Sequence, residues 1–298
     1  MGVLRIVYGL ALIPPLVYLF LRIRDGYRLA YSGSHPKRAS PAFLKDIPFE
    51  KQYFTFISKG KIELAAVALF SCKPSRGTIL AFHYLGGSKT SIISYIEPLL
   101  NHGYDIIAFD YLNHGDSPDT RSVRYRLGKD LRCFIETVRS RGFKGPFGTI
   151  GFSMGATPAI EALEYAPDIK ACAVDSGPLI FVRDYFKYVL RNKQVSNKIT
   201  QAAFLFINLY LGGFIRMSHQ TKKRLHRLKG VPVMFIHSRT DKAITYDNAL
   251  YAYGTVCSER TRFITVDRAH HLTNHVVLGR DYGNALCEFF DKWMMEDV

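Results

Sequence analysis

A serine flanked by two glycines stands near the middle of the chain, in the order Gly151-Phe152-Ser153-Met154-Gly155. The motif ends a short apolar run that predicts a strand (148–152) and opens a helical pattern (154–165). In this strand-turn-helix context the glycines permit a sharp turn that exposes the Ser153 hydroxyl, and the next backbone N–H, of Met154, points at a developing oxyanion. Ser153 is therefore a candidate nucleophile, the alternative being an ordinary glycine-rich helix start.

The elements that must position this serine alternate in type along the chain. The predicted strands are Tyr53–Ile57, Ile62–Phe70, Thr78–His83, Asp105–Asp110, Gly148–Phe152, Lys170–Asp175, Val231–His237 and Arg262–Val266. The predicted helices are Ile92–Leu100, Ser122–Arg139, Met154–Tyr165, Tyr246–Val256 and Asp281–Met294. This alternation predicts an α/β fold with a mainly parallel central sheet and helices on both faces. In such sheets the reactive groups lie at the carboxyl ends of the strands.

Two further segments carry a family resemblance. His83–Ser88 (HYLGGS) resembles the H-G-x-x-G-S loop of the α/β-hydrolase superfamily, and Phe109–Ser117 (FDYLNHGDS) resembles its F-D-x-R-G-H-G-x-S turn. The resemblance extends from about Tyr53 to the C-terminus and is strongest to the membrane-tethered esterase and lipase-like branch, which is related to monoacylglycerol lipases and serine peptidases. It implies the α/β-hydrolase fold, with the N–H of Leu85 as the second oxyanion donor. Tyr84 departs from the family pattern, which has glycine there.

The resemblance also supplies an acid for the serine mechanism. His237–Asp241 (HSRTD) follows an apolar strand and resembles the family's H-G-x-x-D loop, which implies that Asp241 is the acid. Asp175 is the competing carboxylate, because it closes the strand after the nucleophile helix and some lipases take their acid from that place. Either carboxylate could instead be a loop residue that caps a helix.

Two adjacent histidines, His270 and His271, are candidates for the base. Aligning Val266–His271 (VDRAHH) with the family's x-x-G-A-x-H turn puts His271 at the catalytic position and His270 at the variable one. His275 could share a helical face with His271 and form a metal site, but no carboxylate lies at ligand spacing. We therefore expect no metal and no cofactor. The resemblance implies that His271, oriented by the acid, deprotonates Ser153 and that an acyl-enzyme forms and is hydrolysed.

The basic charge of the chain is concentrated in two places. Lys and Arg total 40 against 25 Asp and Glu, for a net charge of +15. Residues 1–45 hold seven cations and one Asp, and residues 181–229 hold eleven cations and one Asp, so the remainder is nearly neutral. Nucleic acid is disfavoured as a partner, because zinc-finger spacing, an RNP-like aromatic motif and a helix-turn-helix pattern are all absent. We expect an anionic membrane surface instead; the sequence carries no signal for the oligomeric state.

The N-terminus supports a membrane partner. Sixteen uncharged residues, Ile6–Leu21, lie between Arg5 and Arg22 and contain Pro14-Pro15. A helix of this length reaches about 24 Å, short of the roughly 30 Å hydrocarbon core, so it could span by snorkelling or lie in the interface as a kinked anchor. A cleaved signal peptide is the rival, although the apolar segment runs straight into Arg22, Arg24 and Arg28 without a convincing small-x-small cleavage site. If the segment spans, the cations that follow it place the catalytic domain in the cytoplasm.

We therefore predict an anchor at 1–24, a linker at 25–48 and a hydrolase domain at 49–298 with a cap insertion at about 177–230. The cap contains an apolar run, Ala202–Met217, followed by a basic run, Lys222–Lys229. These runs predict either an interfacial amphipathic element or a cap helix packed over the active site, and both favour an acyl-chain substrate. We expect a membrane-associated serine hydrolase that cleaves a carboxylic ester, lipid or acyl. The alternatives are a peptidase or thioesterase with the same triad, and an inactive binding protein of this fold.

Overall fold

The computed structural model describes residues 2–38, 47–125, 128 and 130–295, with side chains from residue 13 onward. Its strands are β1 (Glu50–Ile57), β2 (Glu63–Phe70), β3 (Thr78–Phe82), β4 (Asp105–Phe109), β5 (Phe147–Phe152), β6 (Ile169–Asp175), β7 (Val233–Ser238) and β8 (Thr261–Val266). Its helices are α1 (Gly2–Ser34), α2 (Ile93–His102), α3 (Leu131–Ser140), α4 (Ala156–Tyr165), α5 (Val182–Asn192), α6 (Lys198–Phe206), α7 (Phe214–Arg227), α8 (Tyr246–Val256), α9 (Asn274–Leu278) and α10 (Arg280–Met294). A 3₁₀ turn, Ser153–Gly155, precedes α4, and a π-helical turn, Ile207–Leu211, follows α6.

The described strands form one mixed sheet of eight, in the order β1-β2-β4-β3-β5-β6-β7-β8. β2 runs antiparallel to both β1 and β4, whereas β4, β3, β5, β6, β7 and β8 pair in parallel. Every residue of β3, β5 and β7 is buried, as expected for parallel strands that are covered on both faces. The predicted α/β fold is confirmed, with the antiparallel pair at one edge as its irregular part.

Helices cover both faces of this sheet and enclose two apolar cores. On one face α3 and α4 contribute Phe134 and Ile160. On the other face α2 and α10 contribute Leu99 and Phe290. The parallel strands therefore end at one common edge, where the segments that follow β3, β5, β6, β7 and β8 meet.

The helix predicted at Ser122–Arg139 begins only at Leu131. The segment before it is held in an open conformation by bonds to other elements, since Thr120 N–H donates to Asn113 Oδ1 at 2.7 Å and Tyr125 N–H donates to Gly212 O at 3.3 Å. These contacts hold residues 120–125 against other elements, and residues 122–125 are not helical. Residues 126, 127 and 129 of that prediction lie outside the described residues.

The N-terminal helix is longer than predicted. α1 continues through Ser34, so the first ten residues of the segment that we expected to be a linker, 25–48, are helical. Tertiary packing explains the difference, because Ala30 is fully buried and Gly26 lies against Ala203 of α6. Parts of these two predictions lie outside the described residues. They are residues 39–46 of the predicted linker and, in the predicted anchor, residue 1 and the side chains of residues 2–12.

The segment between Gly177 and Gly230 folds as three helices, α5, α6 and α7, over the carboxyl edge of the sheet. Within its apolar run Phe204, Ile207 and Phe214 are buried together with Phe186, whereas Phe206, Tyr210 and Leu211 are more than half exposed. In the described part of the chain, no single helix has the length and apolar composition needed to cross a membrane. The bent pair Lys198–Leu211 and Phe214–Arg227, with 46° between its halves, does meet that requirement.

Candidate active site

The nucleophile turn joins β5 to α4 at the centre of the sheet. Ser153 has φ +52°, a left-handed conformation that non-glycine residues rarely adopt. A Cβ atom on Gly151 would lie 2.2 Å from Gly155 O, and one on Gly155 would lie 2.1 Å from Phe82 O. Both glycines are therefore required by close backbone approach, which explains the G-x-S-x-G spacing.

A hydrogen-bonded chain of three side chains starts at this turn. Ser153 Oγ lies 2.8 Å from His271 Nε2, and His271 Nδ1 lies 2.7 Å from Asp241 Oδ2. Because Asp241 can only accept when ionised, His271 donates from Nδ1 and its Nε2 is left to accept the Ser153 proton. The structure thus brings together the three residues predicted as nucleophile, base and acid, in the arrangement that activates a serine.

Asp241 is held by its own loop after β7. Its Oδ1 accepts from the N–H groups of Ala243 at 2.9 Å and Ile244 at 3.0 Å, and its side chain is fully buried. His237 Nε2 lies 2.8 Å from Ile244 O and 3.7 Å from Asp241 Oδ2. Burial lowers the pKa of His237, so this neighbour is neutral near pH 7 and leaves the Asp241 charge to His271.

The alternate base and the alternate acid lie elsewhere. The side chain of His270 is exposed, and the Ser153 hydroxyl is bonded to His271. Asp175 is buried and accepts from Ser176 Oγ at 2.7 Å, Asn274 Nδ2 at 2.7 Å and Tyr282 OH at 2.8 Å. Burial raises the pKa of Asp175.

Asp175 nevertheless supports the histidine loop indirectly. Ser176 Oγ accepts from Leu272 N–H at 3.2 Å, and the Leu272 carbonyl accepts from Tyr95 OH at 2.8 Å. The residue after His271 is thus tied at both its N–H and its carbonyl. Asn274 and Tyr282, which anchor Asp175, were missed by the sequence reasoning, because no motif marks them.

His275 does not join His271. Its ring lies 4.0 Å from the ring of Tyr95, and burial lowers its pKa. Among the described residues, no group of three or more His, Cys, Asp or Glu side chains is arranged to hold a metal ion.

The loop after β3 lies directly against the nucleophile turn, because Gly155 packs on the carbonyl groups of Phe82 and His83. His83 braces this loop: its Nδ1 donates to Tyr84 O at 2.8 Å and its Nε2 accepts from Tyr111 N–H at 3.3 Å. Burial lowers the pKa of His83 well below its usual value, in agreement with the neutral form that these bonds require. The loop continues into Leu85, whose predicted role as oxyanion donor beside Met154 stays a prediction.

A cluster of charged side chains, in which Lys89 and Asp110 are buried, holds the same loop in place. Lys89 Nζ lies 2.5 Å from Asp110 Oδ2 and 2.5 Å from Asp116 Oδ2, and the Lys89 N–H donates to Asp110 Oδ1 at 2.6 Å. Although burial opposes the charge, the two carboxylates raise the pKa of Lys89. This cluster was also missed, because Lys89 and Asp110 are far apart in sequence and are joined only by the pairing of β3 with β4.

Comparisons with known proteins agree with this architecture. Residues 77–204 match the family described as alpha/beta hydrolase fold. The chain is 22% identical over 220 residues to the uncharacterized protein YqkD of Bacillus subtilis, covering 72% of this chain and 71% of that one. It is 30% identical over 87 residues to Cutinase 1 of Thermobifida cellulosilytica, covering 28% of this chain and 33% of the cutinase.

Solved structures give the same fold. The esterase Pf2001 of Pyrococcus furiosus superposes with a TM-score of 0.71 at 20% identity, covering 87% of this chain and 97% of that one. The acylaminoacyl peptidase of Pyrococcus horikoshii superposes with a TM-score of 0.61 at 17% identity, covering 86% of this chain and 44% of that one. These superpositions, together with the match over residues 77–204, show that the chain has the α/β-hydrolase fold.

Proposed function

We propose that the protein is a serine hydrolase that cleaves carboxylic esters carrying an acyl chain. The observation that carries this proposal is the hydrogen-bonded chain from Ser153 Oγ through His271 to Asp241, which starts at a strained turn. The similarity to a Pyrococcus esterase and to a cutinase supports ester hydrolysis as the reaction. The packed aromatic cap beside the carboxyl edge of the sheet supports an apolar acyl group.

The mechanism follows from the roles of the three side chains. His271 Nε2 removes the proton from Ser153 Oγ as the oxygen attacks the ester carbonyl carbon, and the N–H groups of Leu85 and Met154 stabilise the oxyanion. His271 then protonates the leaving alcohol as the acyl-enzyme forms. A water molecule, deprotonated by the same imidazole, attacks the acyl-enzyme and releases the acid and free Ser153. Asp241 stays ionised and stabilises the imidazolium at each stage.

A panel of acyl donors tests this proposal. We expect the purified protein to hydrolyse p-nitrophenyl esters. In the presence of the Ser153→Ala variant, hydrolysis should proceed at the uncatalysed rate. An acyl thioester and an acylated peptide p-nitroanilide, compared by kcat/KM, distinguish esterase from thioesterase and peptidase. The protein would be an inactive binding protein of this fold if wild type and Ser153→Ala hydrolysed every substrate at the same background rate.

We further propose that α1 attaches the protein to an anionic membrane surface, with the catalytic domain in the cytoplasm. Residues 13–20 are exposed throughout, and their apolar side chains include Leu16 at 61% and Phe20 at 65% exposure. A helix that is apolar on all sides needs an apolar environment, and among the described residues this part of α1 does not find one. Arg22, Arg24 and Arg28 follow directly, where anionic headgroups would meet them.

Vesicle flotation tests the membrane proposal. We expect full-length protein to float with vesicles that contain phosphatidylserine and to bind less to phosphatidylcholine vesicles. The double variant Leu16→Ser, Phe20→Ser removes apolar surface without altering charge and should remain in the lower fraction. Equal flotation of this variant and the wild type would contradict attachment through α1.

A further inference from the structure

The second half of α1 is built into the cap. A Cβ atom on Gly26 would lie 2.7 Å from Ala203 Cβ and 2.8 Å from Thr200 O, so the backbones of α1 and α6 approach closely. Thr200 Oγ1 also donates to Arg22 O at 3.2 Å. Ala30, further along α1, is fully buried among the cap side chains. This half of α1 is therefore a fourth helix of the cap.

The end of α1 is fastened to the catalytic domain. Asn113 Nδ2 donates to Ser34 O at 3.0 Å, and His35 Nε2 is hydrogen-bonded to Thr120 O. Arg38 pairs with Asp119 at 2.8 Å. Since the second half of α1 contacts the cap and its end contacts the 109–120 segment, this half bridges the two parts of the molecule.

A partly open cavity of about 140 Å³ lies where this bridge passes the loop after β3. Its walls come from α1, from the cap and from the loop after β3, and they include Leu29, Gly33, Leu85, Tyr125, Phe186 and Phe204. The polar amide of Asn208, which also lines it, donates to Phe204 O at 2.9 Å. The lining is mostly apolar, although the exposed residues Ser32 and Lys193 also contribute to it, and it includes Leu85, whose N–H we assign to the oxyanion.

We propose that α1 forms one wall of the acyl-chain site, and that the open space beside Gly33 sets the length of chain that fits. This inference rests on the proposed function, because it concerns the substrate of the same serine. A hydrocarbon chain placed against the apolar part of this wall would leave water without leaving a polar group of its own unpaired. The volume is below the usual 300–1,000 Å³ of a site for a drug-sized molecule and suits the end of a single chain.

Gly33 provides a direct probe of this wall. It lies in α1, and a Cβ atom added there would have only Tyr125 Oη within 4 Å, at 3.9 Å. A larger side chain at position 33 would therefore extend into free space instead of displacing backbone. Gly254 is a matched control, since it lies in helix α8, is exposed, and a Cβ atom there would meet nothing within 4 Å.

The experiment compares kcat/KM for p-nitrophenyl acetate, octanoate and dodecanoate in wild type, Gly33→Leu and Gly254→Leu. We expect Gly33→Leu to lower the octanoate-to-acetate ratio at least about tenfold, because a single methylene in an apolar pocket already changes discrimination by that order. Gly254→Leu should retain the wild-type ratio. Leu29→Ala, which enlarges the cavity from the same helix, should raise the dodecanoate-to-octanoate ratio and provides a test if Gly33→Leu does not fold.

Unchanged ratios in both folded α1 variants would overturn the inference while leaving the esterase proposal intact. A ratio that changed equally in Gly254→Leu would also overturn it, since the effect would then not belong to the wall. Failure of the proposed function gives a different result, namely a wild-type protein that hydrolyses none of the three esters.

Discussion

The carboxyl edge of the sheet and the cap with α1 meet at the loop after β3 but are built from different interactions. At the edge, buried polar groups hold one another, as in the bond from His271 to Asp241 and the pair of Lys89 with Asp110. In the cap, aromatic rings pack edge to face, as with Phe186 and Phe214 at 4.8 Å. A hydrogen bond depends on the direction and separation of its donor and acceptor, whereas an apolar core accepts hydrophobic substitutions that conserve its total volume. In the proposed hydrolase we therefore expect the edge to determine whether the reaction occurs and the cap to determine which substrate is accepted.

Substitutions at the edge should accordingly have the largest effects. We expect His271→Gln to reduce kcat by about 10⁵-fold or more, because loss of the base in a serine triad costs about as much as loss of the nucleophile. His270→Gln is the matched control, since the neighbouring imidazole is exposed and should leave kcat within about twofold. Steady-state hydrolysis of p-nitrophenyl butyrate measures both. A larger loss in His270→Gln would assign the base to the other histidine.

Substitutions of the two buried aspartates should distinguish a role in the reaction from a role in the stability of the fold. Asp241→Asn should lower kcat by about 10⁴-fold with little change in fold, because the amide no longer fixes the His271 tautomer. Asp175→Asn should instead lower the free energy of unfolding by about 1–3 kcal/mol, as it disturbs bonds to Asn274 and Tyr282. Kinetics and urea unfolding of both variants test this division. The reverse pattern would make Asp175 the acid.

The cluster of Lys89, Asp110 and Asp116 behind the loop after β3 should show how much stability is lost when a buried charge has no partner. Lys89→Met removes the cation and leaves Asp110 buried, which should lower the free energy of unfolding by about 3–5 kcal/mol. Lys73→Met, at an exposed position, should change it by less than about 0.5 kcal/mol. Urea denaturation measures both. Equal stability of the two variants would show that the cluster does not stabilise the edge.

The smallest predicted effect concerns pH. Burial lowers the pKa of His83 and of its neighbour His114, so the stability that these neutral rings contribute is present above pH 6.5 and lost as the pH falls below it. The buried carboxyls Asp175 and Glu161, whose pKa values are raised, act in the opposite direction. His83→Gln keeps a donor and an acceptor but does not titrate. Its free energy of unfolding should fall less steeply between pH 6.5 and 5.5, by up to about 1.4 kcal/mol, and an unchanged slope would contradict the assignment.

The sequence predicted the sheet well, because parallel strands that are buried on both faces leave continuous apolar runs such as Thr78–Phe82. It also located the nucleophile, since the close approach at Gly151 and Gly155 requires glycine at a fixed spacing. What it missed depends on tertiary contacts. The last ten residues of α1 include two glycines and two serines, which suggested a linker, and they are helical because they pack on α6 and the rest of the cap.

The choice between His270 and His271 shows the same limit. Adjacent residues in a loop point in different directions, and the direction is set by the backbone around Leu272, which has φ +64° and is bonded to Ser176 and Tyr95. Ser176 directly follows β6 and Tyr95 lies in α2, so both partners are far away in sequence. Motif alignment favoured one histidine, and only the packed loop brings it to Ser153.

Covalent labelling tests the central claim most directly, namely that Ser153 is a nucleophile activated by His271 and Asp241. Full-length protein would be incubated with a fluorophosphonate probe and digested, and the modified residue would be located by mass spectrometry. We predict one adduct, on Ser153, with labelling abolished in Ser153→Ala and strongly slowed in His271→Gln. No adduct on the folded wild-type protein, or equal labelling of Ser153→Ala, would contradict the account.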